Sequence, residues 1–195
     1  HVACFSFYPG KNLGAWGDGG ALISNDETLL STVRRLRDHG RQSKYVHEVV
    51  GSCSRLDALQ AAVLSVKLRH LRGWTEQRRA LAARYRQHLG SYLVPWGEGA
   101  VHHLLVMRAP GGAAARDSLQ AHIAAAGVST GIHYPVPLSK QPSMAQWQRP
   151  TPTAEAAADS ILSLPMDPLM SPSDVDRVCE LVLQWIDTDG AGLPG

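Results

Sequence analysis

The feature that most constrains the fold is a helical apolar pattern running through residues 55–90. Apolar side chains recur there mostly at steps of three, four or their sums, at Leu56, Leu59, Val63, Val66, Leu71, Trp74, Leu81, Tyr85 and Leu89. This spacing places them on one face of an α-helix. We therefore predict a single long helix over 55–90, with Gly73 as the point where it can bend. A helix of this length typically bridges two domains or packs across a dimer.

The segment before this helix has a mixed pattern. Residues 3–9 alternate aromatic and small side chains, and residues 19–26 read as a second strand that ends in turn-forming residues. A helix follows and stops at Gly40, and residues 41–54 form a polar loop. We predict that residues 1–54 are part of a domain with both strands and helices.

The segment after the helix predicts a second, smaller unit. Its elements are a strand at 101–110, a helix at 114–127, a strand with a proline-rich loop at 128–138, a helix running into a short strand at 151–166 and a helix at 171–187. We predict a small α+β domain over 91–187 and a flexible tail over 188–195.

Composition narrows the functional classes. The 195 residues have a formal net charge of +2 and are 44% hydrophobic, which fits a globular core and gives no case for nucleic-acid binding. Cys4, Cys53 and Cys179 lie far apart without CxxC spacing, so we expect reduced thiols and no metal. No leader and no apolar run of 18 residues is found, and we expect a cytoplasmic protein without a membrane segment. The start at His1, directly followed by strand-like sequence, indicates a piece of a longer protein.

The stretch "FSFYPGKNLGAWGDGG", residues 5–20, places Lys11 between a short aromatic strand and a run of glycines, in a chain with four lysines. A lysine amine becomes a covalent catalyst when its surroundings let it lose its proton, and glycine lets a cofactor approach the backbone closely. Lys11 is therefore either a solvated turn lysine or a Schiff-base lysine for pyridoxal phosphate (PLP). A Walker phosphate loop is excluded, because Asn12 follows Lys11 and the glycines come after it.

These residues carry a family resemblance. "FSFYPGKNLGAWGDGGALISND" resembles the lysine segment of the DegT/DnrJ/EryC1/StrS family of PLP-dependent sugar aminotransferases, and the resemblance continues through residues 35–68, 127–142 and 157–166. It implies an α/β protein with part of the type I aspartate-aminotransferase fold. Residues 1–54 would be the C-terminal part of the large PLP-binding domain, and residues 91–187 would be the small C-terminal domain.

The resemblance also implies roles for individual residues. Lys11 would bind PLP covalently and then move protons between substrate and cofactor, and Ser6 would bind the cofactor phosphate. His133 and Tyr134 would lie near the substrate entrance. Tyr45 would reach toward the site of a neighbouring subunit. For His133, Tyr134 and Tyr45, ordinary loop roles remain open.

Two positions depart from the family pattern. Ser52 and Cys53 stand where the family has tyrosine and asparagine, and that asparagine contacts the cofactor phosphate of the partner subunit. Cys53 takes this cofactor-binding position, although a thiol is a poorer donor than an amide. Ser139 stands where histidine is common, so substrate contacts there differ.

The resemblance implies a function and leaves alternatives. The family's phosphate turn, ring-stacking aromatic residue and ring-nitrogen aspartate belong upstream of His1, so activity of this chain alone is in question. The implied reaction moves an amino group from glutamate or glutamine to a keto-sugar nucleotide or keto-cyclitol, in a homodimer, during aminosugar or antibiotic biosynthesis. One alternative is a PLP dehydratase, in which histidine replaces lysine, and Lys11 argues against it. The other is a truncated, non-catalytic chain that acts in assembly.

Overall fold

The computed structural model describes residues 1–188. Contacts divide these residues into two compact units, which we call unit 1 (residues 1–73) and unit 2 (from residue 74 onward). Of the tail predicted over residues 188–195, only residue 188 is described, and the last helix ends there. The rest of that prediction lies outside the described residues. The predicted domain boundaries after residues 54 and 90 stay a prediction.

Unit 1 begins with an antiparallel pair of strands, β1 (Val2–Ser6) and β2 (Gly20–Ser24). Their register runs from Val2 opposite Ser24 to Ser6 opposite Gly20. Both strands were expected from the sequence, although β1 starts one residue earlier and ends three residues earlier than predicted, and β2 is shorter at both ends. All five residues of β1 are exposed, so this strand pair buries little of its own apolar surface.

Helix α1 (Glu27–Leu36) follows β2 directly. The Asp26 carboxylate accepts a hydrogen bond from the Leu29 amide at 3.0 Å, which caps the helix start, and the acidic Glu27 complements the helix dipole. Arg34 and Arg35 occupy the last turn, where positive charge is favourable. The helix is the one predicted before Gly40.

The predicted single helix over 55–90 is wrong, because the structure has two helices, α2 (Ala58–Leu68) and α3 (Leu71–Leu89). The break lies at Arg69 and His70. The Arg69 amide donates to the Val66 carbonyl and the His70 amide to the Lys67 carbonyl, and these i to i−3 bonds tighten and end α2. Gly73, the expected bend, lies inside α3.

Unit 2 combines helices with a second antiparallel strand pair. Its elements after α3 are β3 (Leu105–Arg108), α4 (Gly112–Ala125), α5 (Pro152–Ser160), β4 (Ile161–Leu164) and α6 (Pro172–Thr188). Strand β3 pairs with β4 from Leu105 opposite Leu164 to Arg108 opposite Ile161. The sequence predicted each of these elements, with β3 shorter than expected.

The strand predicted near residue 128 is absent among the described residues. Gly131 forms an isolated bridge with Ser163 of β4, and the chain continues through two short 3₁₀ turns, Leu138–Lys140 and Pro142–Trp147. Pro135 and Pro137 lack amide donors, so they cannot extend a strand ladder beyond Tyr134.

Most of the buried apolar side chains belong to unit 2. Its core joins α3, both strands, α4 and α6, and its largest fully buried side chains include Trp185, Tyr85, Leu119, Leu162 and Val182. In unit 1, the buried hydrophobic residues among those described are Ala15 and Leu64. Hydrophobic burial therefore stabilises unit 2 far more than unit 1.

Candidate active site

Lys11 lies on a tight turn within the segment that joins β1 to β2. We call this segment, residues 7–19, the lysine loop. The Lys11 amide donates to the Tyr8 carbonyl oxygen at 2.8 Å, which closes a four-residue turn around Pro9 and Gly10. Proline and glycine suit the central positions of such a turn. Lys11 is half-buried, and this hydrogen-bonded turn defines the backbone position from which its side chain extends.

The rest of the lysine loop folds back on its own first residue. The Phe7 amide donates to the Gly19 carbonyl, and the Ala15 amide donates to the Phe7 carbonyl, each at 2.8 Å. Gly14 lies where the backbone crosses itself, because a Cβ atom there would lie 2.2 Å from the Pro9 carbonyl oxygen. A larger residue at position 14 would therefore force this loop apart.

Ser6 ends β1 and begins the turn that carries Lys11. Its hydroxyl oxygen accepts a hydrogen bond from the Tyr8 amide at 3.3 Å, and the residue is exposed. The structure therefore places the Ser6 hydroxyl and the Lys11 turn on one continuous stretch of six residues. Strand pairing fixes one end of this stretch, and the closed turn fixes the other.

The chemistry of these two side chains fits PLP. A lysine amine condenses with the aldehyde of the cofactor, and a serine hydroxyl donates to its phosphate oxygens. Ser6 keeps its hydroxyl proton available, because in the bond to Tyr8 its oxygen acts as the acceptor. The amine of Lys11 and the hydroxyl of Ser6 therefore have the chemistry that a covalent attachment point and a phosphate donor need.

Cys53 lies in a loop organised around Asp38. An isolated antiparallel bridge pairs the two residues, and Cys53 is exposed. The Asp38 carboxylate accepts hydrogen bonds from Arg41 and, at 2.6 Å, from Arg55. These hydrogen bonds, that from Arg41 foremost, lower the pKa of Asp38 from 3.8 to about 2. Asp38 thus stays ionised and holds the backbone next to Cys53.

Tyr45 lies near the tip of the same loop and is 80% exposed. The Lys44 ammonium lies 5.1 Å from the centre of its ring. At the base of the loop, Gly40 has a φ of +72°, and a Cβ atom there would lie 1.6 Å from the Val49 carbonyl oxygen. Glycine at position 40 therefore permits the close crossing that projects Tyr45 into solvent.

His133 and Tyr134 belong to unit 2 and are exposed. The Nδ1 atom of His133 lies 2.9 Å from the Ser163 hydroxyl oxygen, and the His133 and Tyr134 rings meet edge to face with centroids 5.4 Å apart. The Gly131 and Ser163 backbones exchange two hydrogen bonds of 3.0 and 2.7 Å beside this contact. The structure therefore brings His133 and Tyr134 together on a segment anchored to β4.

The segment that contains Ser139 and Lys140 is anchored to the start of α5. The Ser139 hydroxyl lies 2.5 Å from the Thr151 hydroxyl, and the Glu155 carboxylate accepts from the Thr151 amide at 3.0 Å and pairs with Lys140 at 3.3 Å. The Thr151 amide, with help from Lys140, lowers the pKa of Glu155. Ser139 thus contacts Thr151.

Sequence reasoning missed Asp38, Ser163 and Glu155. Ser163 carries a usable signal, because it is a lone polar residue within the apolar run "ILSLPM" and is buried. A buried hydroxyl needs a hydrogen-bond partner, so its position predicts a nearby polar group. Asp38 and Glu155 carry no comparable signal, since acidic residues in loops and helix starts are common.

Over residues 1–188, no helix combines the length and apolar character needed to cross a bilayer. Within the same part of the chain, His, Cys, Asp and Glu side chains form no group of three or more placed to hold a metal ion.

The fold and the lysine turn define the class of protein: part of the α/β fold of PLP-dependent aminotransferases. The crystal structure of Streptomyces venezuelae DesV in complex with a ketimine intermediate matches this structure with a TM-score of 0.87 and 42% sequence identity. The match covers 94% of this chain and 51% of that chain.

The chain belongs to the DegT/DnrJ/EryC1/StrS aminotransferase family, whose model matches residues 1–183. It is 47% identical to the erythromycin biosynthesis sensory transduction protein EryC1 of Saccharopolyspora erythraea, over 91% of this chain and 50% of that protein. It is 42% identical to the dTDP-3-amino-3,4,6-trideoxy-α-D-glucose transaminase of S. venezuelae, over 95% of this chain and 50% of that enzyme. The chain thus spans about half the length of these curated relatives. Aminotransferases of this family depend on PLP.

Proposed function

We propose that this protein is a PLP-dependent aminotransferase that moves an amino group from glutamate or glutamine to a keto-sugar nucleotide or keto-cyclitol. The observation that carries the proposal is the closed turn that holds Lys11, with the Ser6 hydroxyl five residues before it in the chain. The sugar-transaminase name of the S. venezuelae relative supports a nucleotide-linked sugar as substrate. We place the reaction in aminosugar or antibiotic biosynthesis, in a cytoplasmic homodimer.

We assign Lys11, Ser6 and Cys53 separate roles in this reaction. Bound PLP supplies an electron sink for the pair left on the substrate carbon when it loses a proton. Lys11 Nζ would hold the cofactor and, once released, would carry that proton from the substrate carbon to the cofactor, and it would carry a proton back in the second half-reaction. Ser6 Oγ donates to the phosphate, and the exposed Cys53 thiol adds a weak donor at most.

The substrate contacts come from exposed aromatic and histidine side chains. His133 and Tyr134 provide a ring nitrogen and a phenol, both able to bind sugar hydroxyls. Tyr45 projects from its loop into solvent, which suits contact with a substrate held by a second copy of the chain. The sites are therefore proposed to be shared between two subunits.

The first test is spectroscopic. The 195-residue chain is mixed with PLP, and a yellow absorption band that borohydride removes is the expected result. Lys11→Ala removes the band because the amine is lost, whereas Lys140→Ala keeps it because Lys140 pairs with Glu155 in unit 2. A band that survives Lys11→Ala contradicts the assignment.

The second test concerns the amino donor. We expect glutamate or glutamine to convert the yellow form to the colourless aminated form, and a nucleotide-linked keto sugar to restore the yellow form. Alanine serves as the control donor. Conversion by alanine but by neither glutamate nor glutamine would contradict the proposed donor class.

A second candidate function is favoured by the surface of unit 1. Phe5, Ile23 and Trp16 are 51%, 55% and 75% exposed, and α1 has no buried residue. An apolar surface of this kind is typical of an interface. We propose as the alternative that the chain is non-catalytic and assembles with a longer protein of its own family.

Light scattering after size exclusion tests this alternative. The chain is mixed with a full-length family aminotransferase, and a one-to-one complex is the expected result. A Phe5→Ser, Ile23→Ser variant should lose the complex, while Ala124→Ser, an exposed change in unit 2, should keep it. A chain that turns yellow with PLP and forms no such complex contradicts the alternative.

A further inference from the structure

Two side chains of α2 point at the lysine loop, and neither has a part in the reaction proposed above. Gln60 and Lys67 are seven residues apart, so two helical turns place them on one face of α2. Both are half-buried. Each makes a hydrogen bond to the backbone of the lysine loop, 44 and 53 residues earlier in the chain.

Gln60 holds the middle of the lysine loop. Its Oε1 atom accepts a hydrogen bond from the Trp16 amide at 2.7 Å. The same side chain lies against Gly17, where a Cβ atom would come within 3.2 Å of Gln60 Nε2. The Trp16 side chain is 75% exposed, so its own packing contributes little to fixing this backbone. The hydrogen bond from the Trp16 amide to Gln60 is therefore the contact that positions the backbone at Trp16.

Lys67 holds the lysine loop two residues before Trp16, at Gly14. Its Nζ atom donates to the Gly14 carbonyl oxygen at 2.5 Å. Gly14 is buried and its neighbour Ala15 is 1% exposed, so this carbonyl lies away from solvent and needs a donor. An ammonium group gives a charge-assisted bond, which is stronger than a neutral one. Lys67 therefore satisfies a backbone group that the crossing at Gly14 creates.

We propose that Gln60 and Lys67 are positioning residues that clamp the lysine loop onto α2 and so fix the place of the Lys11 amine. The clamp grips Gly14 and Trp16, three and five residues beyond Lys11. The internal bonds of the loop carry that restraint back to the Lys11 turn through Ala15 and Phe7. The inference deepens the proposed function, because it rests on Lys11 being the residue that binds PLP.

The first experiment measures the clamp without any cofactor. Amide hydrogen exchange is followed by NMR in the 195-residue chain and in Gln60→Met, Gln60→Glu, Lys67→Met and Ser65→Ala. Methionine keeps the length and helix propensity but loses the polar atoms. We expect Trp16 exchange to rise about tenfold in Gln60→Met, as for the loss of one hydrogen bond. Gln60→Glu keeps an acceptor oxygen and should retain protection.

Ser65→Ala is the matched control on the same helix. Its hydroxyl bonds to the Ala61 carbonyl within α2 and is exposed, so the variant should exchange like the wild type. Unchanged Trp16 exchange in Gln60→Met overturns the clamp. If Gln60→Met unfolds by circular dichroism, Lys67→Met decides the matter: faster exchange at Ala15 and Trp16 supports the clamp, and unchanged exchange overturns it.

The second experiment reads the effect on Lys11 itself. PLP is added, borohydride traps any covalent adduct, and mass spectrometry compares labelling of Lys11 with that of the exposed Lys44 and Lys140. We expect an excess at Lys11 that falls about fivefold in Gln60→Met and Lys67→Met, with Lys44 and Lys140 unchanged. An undiminished excess in both variants overturns the positioning role. If the wild type shows no excess, the proposed function of Lys11 fails, while the exchange data still decide whether the clamp exists.

Discussion

The ring nitrogen Nδ1 of His133 lies 2.9 Å from the hydroxyl of Ser163, a buried residue of β4. An exposed histidine is thus oriented by a side chain from the core strand pair of unit 2. A hydrogen bond at one ring nitrogen fixes the orientation of the ring, and a hydroxyl partner does so with either tautomer, because it can donate or accept. Ser163 is therefore the residue that decides which nitrogen His133 presents to solvent.

The first prediction removes this hydroxyl. In Ser163→Ala we expect the His133 ring to lose its fixed orientation and its hydrogen bond at Nδ1, because the partner hydroxyl is gone while the backbone bonds between Ser163 and Gly131 remain. Nitrogen-15 NMR of the imidazole measures the change, and the free energy of unfolding should fall by about 1 kcal/mol. Ser160→Ala, which loses a hydroxyl bonded to the Ala156 carbonyl, should leave the His133 spectrum unchanged.

A second prediction disturbs the contact between His133 and Ser163 by a substitution at Gly131. A Cβ atom at Gly131 would lie 2.7 Å from His133 Cε1, which is too close for a real contact. The His133 ring is exposed and can move, so Gly131→Ala should push the ring off Ser163 and leave unit 2 folded. The imidazole spectrum should match that of Ser163→Ala. A spectrum like that of the wild type would contradict the geometry.

The third prediction concerns acid stability of the loop that carries Tyr45 and Cys53. The folded-state pKa of Asp38 is about 2, below its ordinary 3.8, so its stabilisation is complete above the ordinary value and is lost as the pH falls through the folded value. Asp38→Asn should lower the Tm of the chain at neutral pH. The difference in Tm from the wild type should shrink below about pH 4 and vanish only below about pH 2.

Arg55→Met provides the contrasting variant for Asp38. It removes one of the two guanidinium donors, so the pKa of Asp38 should rise toward its ordinary value and the acid transition should move to higher pH. A Tm difference between Asp38→Asn and the wild type that is the same at all pH values would contradict the ion pairs.

The fourth prediction compares core and surface in unit 2. Trp185 is 1% exposed, and its Nε1 donates to the Ser118 hydroxyl at 3.1 Å. Trp185→Ala should cost about 3–5 kcal/mol in urea unfolding, because it leaves a large cavity. Asp176→Asn breaks a two-pronged pair with Arg84 that is partly exposed to solvent, so it should cost far less than the loss of the buried Trp185 ring. Equal losses would contradict this ranking.

Several elements could be predicted because their signals are local. The apolar stripe of α6 and its serine-proline start gave the correct helix, and the run "ILSL" gave β4 after α5. The interruption at Arg69 and His70 was not predicted, although the apolar spacing lengthens there to one step of five residues, from Val66 to Leu71. Periodicity reports which face is apolar, and it does not report where the chain changes direction.

The sequence by itself determined that a lysine follows a strand on a proline-glycine turn with a serine hydroxyl five residues before it, because all these groups lie within six consecutive residues and backbone preferences place them. Tertiary structure alone decided that Gln60 and Lys67 grip the lysine loop and that Ser163 holds His133. Those hydrogen bonds join segments 30 to 53 residues apart. The packing of helices and strands determines which residues form these hydrogen bonds, and local sequence patterns do not contain that information.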